Sequence, residues 1–233
     1  MRLFGRTAGV VLLPRSVLAI FAVVAACSTQ GAAVASSPGT SQARYLALGD
    51  SITAGTGATP AQSFPARLVG RWSCAVTLKN LGVNGYTTDD LIAEELPQLR
   101  GFAPQLVTLA IGANDIVHGT SSAVYREHVH SILAAVTAAG VKRVVAIPQP
   151  DWSTSPVAAC FGSPETLHAS IVDFNAILKD ETRAIGGDYV DLFPLMEQQA
   201  GAHMVARDGL HPSAAAYDAW ASALAEHVVS PCN

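Results

Sequence analysis

The sequence predicts a three-layer α/β/α fold in which five parallel strands form one sheet between two layers of helices. Short apolar runs alternate with longer amphipathic segments along the chain, which is typical of strands joined by crossover helices. Hydrophobic residues make up 50% of the 233 residues, enough to build one substantial core. Neither an internal repeat nor a change of composition marks a second domain.

The strands are expected in the short apolar runs, at Tyr45–Leu48, Val76–Leu81, Leu106–Ile111, Arg143–Ile147 and Tyr189–Leu192. The helices are expected in the longer segments, at Ser63–Arg71, Thr88–Leu96, Ser121–Ala139, Glu165–Ile185 and Ser213–Val229. The expected helix starts are Ser63, Thr88, Ser213 and, for the fourth helix, either Ser163 or Pro164 with Glu165. Strands that alternate with helices in this way form right-handed βαβ units, so the sequence predicts a flavodoxin-like sheet covered on both faces.

The N-terminal residues have the features of a secretory signal. Arg2, Arg6 and Arg15 precede an uncharged apolar stretch at 16–26. This stretch is shorter than the ~20 residues that a membrane-spanning helix needs, and it matches the apolar region of a signal peptide. We therefore expect residues 1–26 to be a signal peptide, residues 27–43 a flexible tether and residues 44–233 the folded domain.

Two cleavage sites compete. The segment Val24-Ala25-Ala26-Cys27 lies at the end of the apolar stretch and resembles the bacterial lipoprotein box, in which the cysteine is lipidated. The alternative is Ala33-Val34-Ala35, before Ser36. We favour lipidation at Cys27, which predicts an extracytoplasmic protein, anchored to the cell surface at Cys27 or secreted. Contact with a membrane is expected only through that anchor.

Three cysteines, Cys74, Cys160 and Cys232, follow Cys27. In an oxidising compartment an odd number indicates one disulfide and one free thiol, and the three pairings stay open. None of the cysteines has the C-x-x-C spacing of a metal or redox site. Charged residues are only 14% of the chain and the net charge is −4, so a nucleic acid is not an expected partner.

Polar stretches follow the first, second, third and last predicted strands. Gly49-Asp50-Ser51 follows the first strand. Its serine is either a nucleophile, which would need a base to take its proton, or a helix cap. Asn84-Gly85 follows the second strand. Gly85 either presents an unobstructed backbone N–H as a hydrogen-bond donor at the strand edge or is an ordinary turn glycine. Gly112-Ala113-Asn114 follows the third, and the Asn114 amide is either a donor to a negative oxygen or a cap.

The stretch after the last strand contains Asp208 and His211. A carboxylate and an imidazole three residues apart can pair on a tight turn, which fixes the imidazole tautomer. Metal binding and a helix cap are the alternatives. The carboxyl ends of parallel strands meet at one edge of a sheet, so the four stretches are expected to lie together. They would then supply a nucleophile, a base, an orienting carboxylate and oxyanion donors, the set needed for acyl transfer.

With Gly-Asp-Ser, Asn-Gly, Gly-x-Asn-Asp and Asp-x-x-His in this order, the predicted domain resembles the SGNH (GDSL-type) hydrolase superfamily. The resemblance implies that Ser51 is the nucleophile, His211 the base and Asp208 its orienting residue. It further implies an oxyanion hole made by Ser51, Gly85 and Asn114. No cofactor and no metal are implied, and the Gly55–Pro60 segment lacks the third glycine of a dinucleotide loop because Pro60 replaces it.

These observations predict a serine carboxylic-ester hydrolase that works through an acyl-enzyme. The substrate classes left open are small acyl esters, acetylated glycans and lysophospholipids. Trp152, in the long loop at 148–164, is expected to contact the substrate because loops after strands set specificity. The protein is expected to be a monomer. The alternative is a catalytically silent surface lipoprotein that binds glycan or lipid in the same cleft.

Overall fold

The computed structural model describes residues 42–232, which lie in the compact unit Thr40–Asn233. The predicted signal peptide, the predicted tether up to residue 41 and Cys27 lie outside the described residues. Within residues 42–232, no helix combines the length and the apolar character needed to cross a bilayer.

Five parallel strands form one sheet with the order β2-β1-β3-β4-β5. The strands are β1 (Ala43–Gly49), β2 (Val76–Asn80), β3 (Leu106–Ala110), β4 (Arg143–Ala146) and β5 (Asp188–Tyr189). This confirms the predicted fold class. β5 is shorter than expected, because after Tyr189 the chain makes only one more bond to β4, from Val190 N–H to the Ala146 carbonyl.

Helices cover both faces of the sheet. They are α1 (Ser51–Ala54), α2 (Phe64–Val69), α3 (Thr88–Asp90), α4 (Gln98–Phe102), α5 (Ala113–Val117), α6 (Ser122–Ala138), α7 (Pro164–Ala184), α8 (Phe193–Gly201) and α9 (Ala214–His227). α3 continues as a π-helical turn at Leu91–Glu95, and short 3₁₀ helices occur at Pro60–Gln62 and Ala158–Cys160. Ser163 and Ser213 cap α7 and α9 as expected, whereas Thr87, and not Thr88, caps α3.

The core lies on the two faces of the sheet. Alternate side chains of β1 point in opposite directions, as the pleat of a strand requires. Tyr45 and Ala47 pack in the cluster that contains Trp220 of α9, whereas Leu46 and Leu48 pack in the cluster that contains Tyr125 of α6. β1 is therefore buried on both faces. This packing fixes the Gly49 end of the strand, after which Ser51 begins α1.

One disulfide closes the C-terminal end of the chain. It joins Cys74, just ahead of β2, to Cys232, with a Cα–Cα distance of 6.5 Å. Cys160 is free and exposed. The expected count of one disulfide and one free thiol is confirmed for these three cysteines, and the structure selects one of the three open pairings.

Candidate active site

Ser51 is placed by a sharp turn at the end of β1. Gly49 has φ +145°, and a Cβ atom there would lie 2.0 Å from the Ala110 carbonyl oxygen, so no side chain fits. The Asp50 carboxylate caps the following helix by accepting a hydrogen bond from Ile52 N–H at 3.0 Å. Ser51 thereby becomes the first residue of α1, where its side chain lines a pocket and is 8% exposed.

Asn114 comes from the neighbouring strand end. After β3 the chain turns at Gly112, whose φ is +132°, and Asn114 lies in α5. The Asn114 Nδ2 atom donates a hydrogen bond to the Tyr86 carbonyl at 2.9 Å. An amide nitrogen carries two hydrogens, so this bond fixes the plane of the amide and leaves the second hydrogen for a ligand.

Gly85 lies in the loop that follows β2. Its φ of +83° is the left-handed conformation expected of Asn-Gly, and within residues 42–232 no atom beyond its chain neighbours lies within 4 Å of the position that a Cβ would take. Gly85 is exposed and is not among the residues that line the pocket of Ser51. Its link to the site is through Tyr86, the next residue, whose carbonyl holds Asn114.

Asp208 and His211 form a hydrogen-bonded pair. The Asp208 Oδ2 atom lies 2.8 Å from His211 Nδ1, and Oδ1 accepts from the N–H groups of Leu210 and His211. Burial raises the pKa of Asp208, but the hydrogen bonds from Leu210 N–H and from His211 outweigh it and lower the pKa overall. The carboxylate is therefore ionised at neutral pH and fixes Nδ1 of His211 as the protonated nitrogen.

The loop that carries this pair is anchored at two points. An antiparallel bridge joins Val205 to Pro212, and Ala206 N–H donates to the His211 carbonyl at 2.7 Å. Tyr217 in α9 donates its hydroxyl hydrogen to the Thr56 carbonyl at 2.9 Å, which ties α9 to the turn after α1. The His211 ring is thus held beside the turn that contains Ser51.

Ser51, Asn114 and His211 line one small pocket with a volume of about 70 Å³. Its other lining residues are mostly apolar and are Ile52, Ala113, Val117, Gln149, Pro150, Trp152, Phe161 and Leu210. Trp152 packs edge-to-face with Phe161, with ring centroids 6.3 Å apart. No hydrogen bond between Ser51 Oγ and His211 is formed in the part of the chain that the structure describes, and catalytic hydrogen bonds often tighten only in the complex with substrate.

Three carboxyl groups, those of Asp50, Glu95 and Asp115, are buried near the Ser51 turn, and sequence reasoning did not predict the burial of any of them. Glu95 Oε2 accepts from Gly49 N–H at 3.0 Å, and burial raises the pKa of Glu95 to about 9. Burial likewise raises the pKa of Asp50 to about 7 and raises that of Asp115, whose carboxylate accepts from the Thr88 N–H and hydroxyl. Two of these carboxyl groups, those of Glu95 and Asp50, accept backbone hydrogen bonds around Ser51, and burial raises the pKa of all three.

Gln149 is a further pocket residue that sequence reasoning missed. It follows β4 and so reaches the same edge of the sheet as Ser51 and Asn114. The signal available in the sequence was its place at that strand end, between Pro148 and Pro150. No group of three or more metal-binding side chains is clustered anywhere in residues 42–232.

Residues 47–219 match the model of the GDSL-like Lipase/Acylhydrolase family. No curated protein matches the chain in sequence. Among solved structures, a member of the lipolytic protein G-D-S-L family from Veillonella parvula is similar with a TM-score of 0.66 and 18% identity, over 79% of this chain and 97% of that one.

Two other solved structures have the same fold. The acetylxylan esterase Axe2 from Geobacillus stearothermophilus is 19% identical with a TM-score of 0.64, over 79% of this chain and 93% of that one. A lipase/acylhydrolase from Enterococcus faecalis is 22% identical with a TM-score of 0.63, over 79% of this chain and 94% of that one.

Proposed function

The chain belongs to the GDSL-like lipase/acylhydrolase family and is a hydrolase of ester bonds, and we propose that it cleaves short acyl esters through an acyl-enzyme formed on Ser51. The observation that carries this proposal is the meeting of Ser51, Asn114 and the Asp208-paired His211 at one small apolar pocket. These groups come from three separate parts of the chain, and their residue types are those that acyl transfer requires.

In the first half-reaction His211 Nε2 takes the proton from Ser51 Oγ, which attacks the ester carbonyl carbon. The carbonyl π electrons move to oxygen and give a tetrahedral oxyanion. Collapse of this intermediate re-forms the carbonyl and breaks the bond to the alcohol oxygen, which receives the proton from His211. The free alcohol leaves, and the acyl group stays on Ser51.

The oxyanion is held by hydrogen-bond donors at the strand ends. The free Nδ2 hydrogen of Asn114 is one donor, fixed by the bond of Asn114 to the Tyr86 carbonyl. The N–H groups of Ser51 and Gly85 are the other two in this proposal. Each donor in such a site contributes about 3 kcal/mol to transition-state stabilisation.

In the second half-reaction water replaces the alcohol. His211 takes a proton from the water, the hydroxide adds to the acyl carbonyl, and the new intermediate expels Ser51 Oγ, which regains its proton from His211. The carboxylic acid is released. Asp208 stabilises the imidazolium in both halves, because its ionised carboxylate faces Nδ1.

The size of the pocket favours a short acyl group. Its volume of about 70 Å³ is well below the ~300–1,000 Å³ of pockets that enclose drug-sized ligands. Trp152, which is 7% exposed, and Ile52 form parts of its apolar wall. An acetyl or similarly short acyl group fits this space, so small acetate esters and acetylated glycans suit the site. The long acyl chain of a lysophospholipid does not fit.

The test is hydrolysis of p-nitrophenyl acetate, butyrate and octanoate by the wild-type protein and by Ser51→Ala. We expect the wild type to cleave the acetate and butyrate fastest, and Ser51→Ala to lower kcat by at least ~10³-fold because the nucleophile is lost. Ser131→Ala is the matched control, since Ser131 lies exposed on α6 with its hydroxyl bonded to the Glu127 carbonyl. Unchanged turnover in Ser51→Ala would contradict the mechanism.

Covalent labelling separates this proposal from a catalytically silent binding protein. A fluorophosphonate reacts with an activated serine and is expected to label Ser51 in the wild type but not in Ser51→Ala. A wild-type protein that stays unlabelled and inactive would support the silent binding protein instead.

We also propose an extracytoplasmic location, either anchored at Cys27 or secreted. The Cys74–Cys232 disulfide supports it, because such bonds persist in oxidising compartments. The protein acts there as a monomer in this proposal, with no nucleic-acid partner and with a short acyl ester of a small molecule or glycan as its substrate.

A further inference from the structure

The Gln149 side chain is a buried amide that forms no hydrogen bond within residues 42–232. Its exposed fraction is 0%, and neither Nε2 nor Oε1 has a hydrogen-bond partner among these residues. It lines the same pocket as Ser51, Asn114 and His211. Trp152 lines this pocket too and adds a third such atom, since its Nε1 is also buried and has no hydrogen-bond partner among the described residues.

Two hydrogen bonds fix the backbone of Gln149 and so fix the point from which its side chain extends. Asn175 of α7 accepts from Gln149 N–H at 2.7 Å and donates from its own Nδ2 to the Gln149 carbonyl at 3.0 Å. Asn175 is itself buried. Pro148 and Pro150 further restrict the backbone on either side. The two hydrogen bonds with Asn175 satisfy both backbone groups and leave only the side-chain amide unsatisfied.

An unpaired buried amide lowers stability relative to an apolar side chain of the same size. Gln199 is a buried glutamine whose amide is paired, because its Oε1 accepts a hydrogen bond from Trp220 Nε1 at 2.6 Å. A buried group that lacks a partner in the free protein, and that lies beside the reacting residues, is suited to bind a ligand atom. Its hydrogen bonds are then made only when the ligand arrives.

We propose that Gln149 determines specificity by hydrogen bonding to a substrate hydroxyl next to the scissile ester, with Trp152 Nε1 as an additional donor. This inference rests on the proposed esterase function. An amide offers both a donor and an acceptor, and a hydroxyl group also offers both. The described lining of the pocket contains no lysine or arginine, so apart from the catalytic His211 it has no cationic side chain to favour an acidic substrate.

The substrate class that follows is a short acyl ester of a polyol or sugar. Such an ester carries a hydroxyl on the carbon beside the acylated one, whereas a simple alkyl ester would leave both polar atoms of Gln149 unpaired. Because the amide has no exposed surface, the substrate must displace a lining side chain. Phe161, which is 46% exposed, is the one exposed residue among those that line the pocket.

The test uses two acetate esters that differ in hydroxyl groups, glycerol monoacetate and propyl acetate. We expect the wild type to show a kcat/KM at least tenfold higher for glycerol monoacetate. Gln149→Met, which has a similar length but neither donor nor acceptor, is expected to lower the ratio of the two kcat/KM values at least tenfold, mainly through KM. It is also expected to keep or raise Tm, because an unpaired polar group is removed.

Gln199→Met is the matched control. It removes a buried amide that is paired, so we expect a lower Tm and an unchanged ratio. A ratio in Gln149→Met within twofold of the wild-type ratio would overturn the inference. So would a loss of Tm equal to that of Gln199→Met, since it would mean that an ordered water already satisfies the amide.

Failure of this inference differs from failure of the esterase function. If the wild type cleaves both esters equally well and Ser51→Ala cleaves neither, the proposed function stands and the role of Gln149 is wrong. If the wild type cleaves neither these esters nor p-nitrophenyl acetate, both proposals are wrong.

Discussion

The buried carboxyl group of Glu95 makes the stability of the protein depend on pH. Its Oε2 accepts from Gly49 N–H at 3.0 Å, whereas Oε1 has no hydrogen-bond partner in the part of the chain that the structure describes. Glu95→Gln keeps an acceptor for Gly49 and replaces the ionisable group by one that does not titrate. We expect this variant to lose a large part of the pH dependence of unfolding.

The sign and size follow from the pKa. Burial raises the pKa of Glu95 from 4.5 in the unfolded chain to about 9 in the folded protein. Between these values the folded state keeps a proton that the unfolded state has released, so stability falls as pH rises, by about 1.4 kcal/mol per pH unit. From pH 6 to pH 8 the wild type should therefore lose about 3 kcal/mol more than Glu95→Gln.

The assay is urea unfolding followed by circular dichroism at pH 6 and pH 8. Glu94→Gln is the matched control, because Glu94 is the exposed neighbour of Glu95 in the π-helical turn. We expect Glu94→Gln to follow the wild type at both pH values. If Glu95→Gln lost as much stability from pH 6 to pH 8 as the wild type, the burial of a neutral Glu95 would be refuted.

Two further predictions concern the base and the disulfide. Asp208→Asn should lower kcat by about 10²–10⁴-fold with little change in Tm, since an amide NH₂ facing Nδ1 favours the wrong tautomer of His211; near wild-type turnover would remove Asp208 from the mechanism. Replacing Cys74 and Cys232 by serine should lower the free energy of unfolding by up to about 5 kcal/mol, because the cross-link closes a loop with a sequence separation of 158. Cys160→Ser, at the free thiol, should change it little, and equal stability of the two variants would contradict the prediction.

Much of the fold could be predicted from periodicity. Each of the five expected strands occurs, and the five expected helices begin and end within a few residues of their predicted limits. The short helices α1, α4 and α5 were missed because a helix of four or five residues has no measurable period, and the nine-residue α8 was missed as well. The π-helical turn was also missed, since Leu91 and Glu95 lie at an ordinary helical spacing and only the backbone bond from Leu96 N–H to the Leu91 carbonyl shows it.

The active site, like the fold, could be predicted only in part. Ser51 and Asn114 could be placed together because they follow strand ends that the fold rule brings to one edge. Glu95 and Gln149 could not, because Glu and Gln are mostly exposed in proteins, and only tertiary packing reveals that these two are buried. The disulfide partner of Cys74 was equally inaccessible, because pairing depends on distance in the folded chain and not on spacing in sequence.

The Cys74–Cys232 bond also divides the chain topologically. It turns residues 74–232 into a covalent ring that contains Gly85, Asn114 and His211 but not Ser51. β2 and β3 both belong to this ring, and each reaches the other only through β1, which lies between them. β1, which leads into Ser51, lies outside this ring in the chain and yet pairs between two strands that belong to it. Pairing of β1 between β2 and β3 therefore also brings Ser51, just after the end of β1, to the strand ends that lead to Gly85 and Asn114.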